Sequence, residues 1–532
     1  MSLGGTGPVG MATDVLHYGQ MLRSGVEERV RAHYPSVRMS TGRSGVPIAW
    51  IWARTVKSPD PSWPGHVPLV KSWVLAKKPG KPVIHVAPVV DHDGRSIIYE
   101  IRSGGTPASP TVDRARGVCI ATGAPIPADY IKAEGAAGRM GTVLLAVAVE
   151  GNRTREYEPA SAEQIAAATV PDAPWQPIGT MSDHPQYMGT PRYGLDEWWK
   201  LYTPRQLLTL TSFVDELAIV RRQVESDAVA AGMDDDGARL VSGGTGARAY
   251  ADAIGLLLMF AVDKLADLNN SLAAWEPIAQ CPRHLFGRQA IQITWDYAEA
   301  NPFSSSSGSF QTIIDGICRT LAGPAFRALS EEEADVQQMD AKARVAGVGR
   351  SVLSTDPPYY DNVPYSDLSD FFYVWMRRGL SDSYPDETAT LLTPKAEELV
   401  ADQRRFGGKD AAREHFENGM SEFFAEVSRS QDDRFPATIF YAFKAVEEGD
   451  GGRVSTGWST FLGSIRRSGL MGTATWPVRT ENKSRLRGLN SNALASSVVL
   501  ACRPRPTDAA MGTRGDFVRQ LRAELPEGVR VL

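Results

Sequence analysis

The chain has 532 residues, a length that corresponds to about three domains at roughly 100–200 residues per domain. Its 57 Lys and Arg residues against 62 Asp and Glu residues give a net charge of -5. That balance excludes a strongly basic, histone-like protein and still allows a local basic surface. The four cysteines are Cys119, Cys281, Cys318 and Cys502. Their wide spacing excludes a disulfide framework and paired Cys-x-x-Cys motifs, so we expect a cytoplasmic protein.

No segment of the sequence indicates secretion or membrane insertion. The start, MSLGGTGPVGMATDV, lacks the basic and apolar regions of a signal peptide. The most apolar stretch, AIGLLLMFAV (253–262), suits a buried helix and is too short to span a bilayer. We therefore expect no membrane contact.

The first 160 residues divide into an N-terminal helical segment (1–45) and a small β-rich domain (46–160). Apolar residues at helical spacing predict a helix over 13–34, with Thr13 as a candidate cap. Residues 46–160 contain β-rich runs that are separated by Pro and Gly. These runs are VPIAWIWARTV, KSWVLAK, PVIHVAPVV, SIIYEI and TVLLAVAVE.

Residues 161–285 combine a connector, rich in Pro and Trp, with a helical domain. The first helix opens at Thr203-Pro204, which places proline at the first helical position. A second helix is predicted over 246–270.

Strands and helices alternate over residues 286–510, and residues 511–532 form a C-terminal tail. The predicted elements are, in order, strand 351–355, helices 365–380 and 408–428, strand 438–446, helix 457–468, and strands 472–478 and 495–504. This alternation, ending in two consecutive strands, predicts an α/β fold with a mostly parallel sheet and an antiparallel edge hairpin.

The most informative segment is STDPPYYDN (354–362), which follows a predicted strand. Open α/β sheets bind ligands at the carboxyl ends of their strands. The Asp356 carboxylate and a main-chain carbonyl in the Pro357-Pro358 turn can each accept an N–H of an exocyclic base amine, which favours the nitrogen geometry that attacks a methyl sulfonium. Tyr359 offers a flat face to an extruded base. The plain alternative is a proline turn that ends a strand.

Asp-Pro-Pro-Tyr at this place resembles motif IV of the amino-group DNA methyltransferases. Longer segments are similar to the DUF1156 family of adenine-specific DNA methylases, and the resemblance covers most of the chain. These segments are DVLHYGQMLR (14–23), IPADYIKAEGAAGRMG (126–141), ANPFSSSSGSF (300–310), STDPPYYDNVPYSDLSDFFYVWMRRGL (354–380) and TENKSRLRGLNSNALASSVVLACRPR (480–505). Some members of the family lie in bacterial anti-phage gene clusters, which suggests an anti-phage or restriction–modification setting.

The resemblance implies a Rossmann-like class I methyltransferase core with an inserted small β-domain and a helical domain. It also implies S-adenosylmethionine as methyl donor and DNA as substrate. The implied catalytic residues are Asp356, Pro357, Pro358 and Tyr359, and the implied cofactor-binding residues are Asp340, Asn301, Pro302 and Phe303. For Asp340, a loop or helix-cap role is an equal alternative.

One family feature is not found in this sequence. Family members carry an N-terminal strand and glycine turn of the type DPFAGGG, which holds the methionine part of the donor. The glycine patterns at 5–10 and 244–249 do not make a convincing cofactor loop. We therefore expect an incomplete core, in a truncated gene product, half of a split enzyme or a degenerate homologue.

The β-domain resembles a zinc ribbon that has lost its ligands. Family members have two cysteine pairs there. The first pair is replaced within KSPDPSW (57–63), and the second retains Cys119 with Thr122 in place of its partner. One cysteine cannot hold tetrahedral zinc. We therefore expect no metal site and interpret the nearby histidines as solvated or core residues; they are His66, His85 and His92.

The charge is unevenly distributed along the chain. Residues 451–532 contain 13 Arg and Lys against 5 Asp and Glu, a net charge of +8, so the remainder carries -13. The candidates for contact with DNA phosphates lie between the last two predicted strands and are Arg479, Lys483, Arg485 and Arg487. A solvated basic loop is the alternative.

Two functional hypotheses follow. The leading one is an S-adenosylmethionine-dependent DNA amino-methyltransferase of the adenine-N6 type, with direct transfer from sulfonium to nitrogen. The alternative is a catalytically incomplete homologue that acts as a DNA-binding or assembly subunit. Such a homologue needs a partner subunit or a missing N-terminal segment for its donor site. Methylation of protein glutamine or RNA is a lesser alternative, since enzymes of those classes commonly begin the motif with Asn.

Overall fold

The structure, a computed structural model, describes residues 7–91, 93, 95–114, 116–151, 154–327, 334–360, 363–442, 456–478, 497–509 and 512–531. The described residues form a mixed α/β fold, with 40% helix and 21% strand. The strands of the described residues form several small sheets, none of which closes on itself. None of the described helices is both long enough and apolar enough to cross a membrane.

The elements alternate irregularly along the chain. The first are α1 (Gly7–Val30), β1 (Val37–Arg38), β2 (Ser44–Gly45), β3 (Pro47–Lys57), β4 (His66–Leu69), β5 (Val74–Ala76), β6 (Ile84–Asp91), β7 (Ser96–Ser103), β8 (Val112–Asp113), β9 (Arg116–Val118), β10 (Pro125–Ile126), α2 (Ala128–Ala136), β11 (Gly141–Glu150), β12 (Arg155–Pro159) and α3 (Ala162–Ala167). Next are α4 (Pro204–Ala230), α5 (Ala247–Leu268), β13 (Trp275–Glu276), β14 (Cys281–Pro282), β15 (Asp296–Ala300), α6 (Phe310–Leu321) and α7 (Pro324–Arg327). The last are α8 (Ala341–Val348), β16 (Ser354–Thr355), α9 (Tyr365–Leu380), α10 (Lys409–Ser430), β17 (Ala437–Ala442), α11 (Thr456–Arg467), β18 (Leu470–Val478), β19 (Ser497–Pro504) and α12 (Arg514–Val531).

The chain divides into two compact units. The first unit comprises Met1–Asp335 and Tyr365–Lys395, and the second comprises Val336–Pro364 and Ala396–Leu532. The predicted start of the α/β core at residue 286 coincides with none of the three boundaries between these segments. Residues 286–335 and α9 pack within the first unit.

The largest sheet of the first unit has five strands and is entirely antiparallel, with strand order β12-β11-β3-β15 and β4 paired to β3. Its centre is β3, in which every residue except the last is buried. A strand buried on both faces needs a largely apolar sequence, and VPIAWIWARTV is apolar except for Arg54 and Thr55. The predicted β-rich character of 46–160 is confirmed, with α2 as an additional helix.

The long helices of the first unit begin close to the predicted positions, apart from α1. α4 starts at Pro204 behind a reciprocal cap, since the Thr203 hydroxyl accepts a hydrogen bond from the Gln206 amide and the Gln206 side chain accepts one from the Thr203 amide. The prediction of Thr13 as a cap is wrong. α1 already begins at Gly7, and the Thr13 hydroxyl donates within the helix to the Val9 carbonyl at 3.0 Å.

A buried ion pair joins α4 to the sheet of the first unit. Arg205 Nε donates to Glu299 Oε1 at 2.8 Å, and both side chains have no exposed surface. Trp52 Nε1 donates to the other Glu299 oxygen at 2.8 Å, and the Arg205 guanidinium lies 3.8 Å from the centroid of the Trp50 ring. Each charge is therefore compensated inside the core.

A buried carboxyl on α5 lacks such compensation. Asp263 is 8% exposed, and its Oδ1 has no hydrogen-bond partner among the described residues. Burial raises the pKa of this carboxyl well above its ordinary value. The folded state then binds the proton more tightly than the unfolded state does, so stability falls as pH rises from the ordinary pKa towards the raised one and stays reduced above it.

We expect Asp263→Asn, which removes the ionisable group, to increase the free energy of unfolding by about 1–3 kcal/mol near pH 8. The gain should be smaller at about pH 5, where the native carboxyl keeps more of its proton. Urea unfolding at both pH values measures the difference, and Asp315→Asn at an exposed site on α6 is the control. A gain of equal size at both pH values would contradict this assignment.

The second unit is built on a four-stranded sheet with the order β16-β17-β19-β18. β16 and β17 are parallel, while β19 runs antiparallel to both β17 and β18. The predicted antiparallel edge hairpin is confirmed. The prediction of a mostly parallel sheet is wrong, because the hairpin inserts β19 next to β17 and most of the pairing is antiparallel.

The helices α10 and α11 cover this sheet with an apolar core. Their fully buried members include Phe416, Phe424 and Phe461, which pack with Ile439 of β17 and Leu500 of β19. The sheet thereby gains a rigid support below the turn that follows β16.

Candidate functional site

The Asp-Pro-Pro-Tyr segment lies at the carboxyl end of a parallel strand pair. Thr355, the last residue of β16, is in register with Ile439 of β17, and the Thr438 amide donates to the Leu353 carbonyl at 2.9 Å. Asp356 follows directly and is exposed, whereas Pro357 is buried. The proline therefore anchors the turn and the carboxylate remains accessible.

Tyr359 holds the Asp356 carboxylate by one oxygen. Its hydroxyl donates to Asp356 Oδ1 at 3.2 Å. Asp356 Oδ2 makes no hydrogen bond with any residue that the structure describes. A carboxylate oxygen that is held in place and still unused can accept a hydrogen bond from a ligand amine.

An aromatic cluster adjoins this turn, and Tyr359 is its only member that the sequence analysis names as a site residue. Tyr441, on β17, forms an edge-to-face pair with Tyr359 at a centroid distance of 5.2 Å. Phe461 stacks on Tyr441 at 3.9 Å, and Trp458 lies beside both rings. Tyr441 stands in an apolar strand and the other two in an amphipathic helix, so their local patterns were typical of a core.

Tyr360 connects the turn to the same cluster. Its amide donates to the Tyr441 hydroxyl at 3.4 Å, and its ring packs edge-to-face against Phe416. Gly457, near the start of α11, allows this approach, since a Cβ there would lie 2.9 Å from the Tyr360 Cβ. The turn is thus fixed to β17, α10 and α11.

Asp340 belongs to the second unit and caps α8. Its Oδ1 accepts a hydrogen bond from the Lys342 amide at 2.8 Å. Asp340 therefore has the helix-cap role that the sequence analysis gave as the alternative to cofactor binding. Its side chain is exposed, and Oδ2 makes no hydrogen bond with the described residues, so a contact with the cofactor stays a prediction.

The other three predicted cofactor residues lie in the first unit. The Asn301 side-chain amide donates to the Pro47 carbonyl at 2.8 Å, and its oxygen accepts from the Phe303 amide at 3.0 Å. Pro302 is buried, and Phe303 is 8% exposed and stacks with Phe213. These contacts place the segment in the core of the first unit, and its contact with a cofactor stays a prediction.

Hydrogen bonds connect the two segments in which the family has its cysteine pairs, residues 57–63 and 119–122. The Ser58 hydroxyl donates to the buried Cys119 sulfur at 3.3 Å, and the Asp60 amide donates to the Ser58 oxygen at 3.2 Å. Burial raises the pKa of the Cys119 thiol, whereas hydrogen bonds from Ser58 and Thr122 lower it. The hydrogen bonds have the larger combined effect, so the pKa lies below its ordinary value. No group of three or more His, Cys, Asp or Glu with metal-binding geometry occurs in the part of the chain that the structure describes.

Several sequence candidates lie outside the described residues. The predicted phosphate-binding residues among them are Arg479, Lys483, Arg485 and Arg487, and the histidine is His92. Their predicted roles stay predictions. Comparison with family models, with curated proteins and with solved structures finds no match to this chain.

Proposed function

We propose that the second unit belongs to an S-adenosylmethionine-dependent DNA amino-methyltransferase, of the adenine-N6 type. The observation that carries the proposal is the Asp356 carboxylate at the carboxyl end of β16, with one oxygen unused and an aromatic cluster beside it.

The sheet of the second unit supports the same proposal. It is an open sheet, and open α/β sheets bind ligands at the carboxyl ends of their strands. β16 and β17 are parallel, and Asp356 follows directly after β16. We therefore assign the Rossmann-like core that the resemblance implies to the second unit.

In the proposed reaction, Asp356 Oδ2 accepts an N–H of the target amine. A main-chain carbonyl of the Pro357-Pro358 turn accepts the second N–H, and the two bonds turn the nitrogen lone pair away from the base ring. Buried Pro357 limits movement of both acceptors, so little reorganisation is needed during transfer. The Tyr359 ring, partly buried and supported by Tyr441, offers a stacking face to the extruded base.

S-adenosylmethionine would supply the methyl group as a sulfonium. Its carbon–sulfur bond would break as the bond to the target nitrogen forms, so that the sulfur would leave as a neutral thioether and the amine would lose one proton. Of the predicted cofactor-binding residues, Asp340 fits this donor best. It lies in the same unit as Asp356, its side chain is exposed, and its Oδ2 makes no hydrogen bond within the described residues. Such an oxygen can accept a hydrogen bond from the adenine amine of the donor.

A second candidate function has one specific observation in its favour. Among the described residues, β16 pairs with β17 only, so the sheet of the second unit is open along β16. A donor-binding half would be added at that edge. The alternative is therefore a DNA-binding or assembly subunit that completes its donor site with a partner.

Calorimetric titration of the full chain with S-adenosylmethionine separates the two. For the enzyme we expect saturable binding with a Kd below about 1 mM. Asp340→Asn should weaken binding about tenfold, because asparagine caps a helix as well as aspartate does but lacks the carboxylate. ATP, which shares the adenosine, is the control ligand. Absence of donor binding at millimolar concentration would exclude the stand-alone enzyme and favour the partner-dependent subunit.

A further inference from the structure

A cavity of about 250 Å³ lies in the first unit, between the end of α2, the start of β11 and the residues around Trp199. Two backbone segments, around Gly135 and Gly194, cross closely in its wall. Gly194 has a φ of +79°, and a Cβ there would collide with the Gly135 carbonyl. Glycine is therefore required at residue 194, and the crossing fixes the shape of the cavity.

Arg54, on β3, contributes a cation to this cavity. Its side chain is buried, with 6% exposure for the residue. Nε donates to the Thr294 carbonyl at 2.9 Å, and Nη2 donates to the carbonyl and hydroxyl of Ser271 at 2.9 Å each. Nη1 makes no hydrogen bond with any described residue, so it is the nitrogen left to face the cavity.

Arg54 lacks the carboxylate neighbour that the other deeply buried arginines have among the described residues. Among the described residues, three arginines are at least nine-tenths buried. Arg205 pairs with Glu299 at 2.8 Å, and Arg221 has Asp382 at 3.9 Å. Arg54 has no described carboxylate within 4.0 Å and faces only carbonyls, a hydroxyl and the Tyr297 ring.

Electrostatics then indicate what the cavity accepts. A buried charge without a counter-ion is unfavourable, and burial lowers the pKa of the Arg54 guanidinium accordingly. Lys200 also lines the cavity, but Asp196 and Glu197 pair with its ammonium at 2.6 Å and 3.0 Å. The positive charge available to a ligand is therefore that of Arg54.

We propose that this cavity binds a small oxyanion, a carboxylate or a phosphate group, through Arg54 Nη1. The Thr142 hydroxyl, in the same wall, makes no hydrogen bond with the described residues and can donate to the same group. Pockets for drug-sized ligands measure roughly 300–1,000 Å³, so this cavity holds the oxyanion and a few attached atoms and excludes a whole nucleotide. The proposal is independent of the methyltransferase assignment.

The test is the thermal stability of the full chain in inorganic phosphate and in acetate, against chloride at equal ionic strength. Phosphate stabilises many proteins without a site, so the informative quantity is a difference between variants. Ala136→Trp places an indole in the cavity, since Ala136 is exposed at the end of α2 and lines it. Ala137→Trp, at the next exposed residue and outside the cavity wall, is the matched control.

We expect a saturable increase in Tm of about 2 °C or more in the native chain at ten times the Kd, equal in Ala137→Trp and absent in Ala136→Trp. Arg54→Met should also lose the increase; if it does not fold, Ala136→Trp decides. A response to phosphate alone would indicate a phosphate ester, and a response to acetate would indicate a carboxylate ligand. No saturable increase with either anion, or an increase kept in Ala136→Trp, would overturn the proposal.

Discussion

Replacing Asp356 by alanine is expected to lower the rate of methyl transfer to DNA by about 10²–10⁴-fold. The substitution removes the acceptor that is held by Tyr359 and still has one oxygen unused. Because Asp356 is exposed and makes no ion pair among the described residues, the variant should fold normally. Donor binding should change little, since the lost hydrogen bond is made to the target amine.

The measurement is transfer of labelled methyl groups to DNA at saturating donor, together with calorimetric donor binding. Asp410→Ala is the matched control, because Asp410 is an aspartate of the second unit with an 88% exposed side chain, at the start of α10. A variant at Asp356 that keeps its rate within about twofold would show that the motif is only a proline turn. Loss of donor binding along with activity would instead place Asp356 at the donor.

Replacing Glu299 by glutamine should destabilise the first unit by about 3–5 kcal/mol. The amide has the shape of the carboxylate but leaves Arg205, which has no exposed surface, as an uncompensated charge. It also weakens the hydrogen bonds from Thr203 and Trp52, at 3.0 Å and 2.8 Å. The cost is large because a buried charge cannot recover its hydration.

Urea unfolding followed by tryptophan fluorescence reports mainly on the first unit, which holds all but Trp458 and Trp476 of the 12 tryptophans. The matched control is Glu276→Gln, at the partly exposed pair with Arg283, where we expect a loss below about 1 kcal/mol. Similar losses for both variants would show that burial adds nothing to the pair. The double variant Arg205→Met with Glu299→Leu should recover part of the stability.

Local signals predicted most elements of the second unit. The helix expected over 457–468 is α11 (Thr456–Arg467), and the strand expected over 472–478 is β18 (Leu470–Val478). Strand order and direction could not be predicted in the same way. Six residues of β17 pair with β19, although the helix α11 and the strand β18 intervene. The hydrophobic periodicity of β17 and of β19 does not specify which strand each of them pairs with.

The sequence alone could predict the part of the candidate site that lies within one short motif. The motif predicted Asp356 and Tyr359 from adjacent residues, and the order of the elements then placed them at the end of a strand. Tyr441 and Phe461 join them only because β17 pairs with β16 and α11 packs on that pair. Their contribution depends on tertiary contacts, which local hydrophobic patterns do not record.

The path of the chain between the two units has a consequence for its synthesis. The segment Val336–Pro364 belongs to the second unit but lies in sequence between two parts of the first. As the protein leaves the ribosome from its N-terminus, the first unit lacks α9 until residue 380 has emerged. α9 supplies the fully buried side chains Phe371 and Trp375, and Trp375 donates to the Tyr202 hydroxyl at 2.9 Å. β16 can pair with β17 only after residue 442 has also emerged. The synthesis of the two units therefore overlaps in time, and a ribosome stalled near residue 364 would leave both of them incomplete.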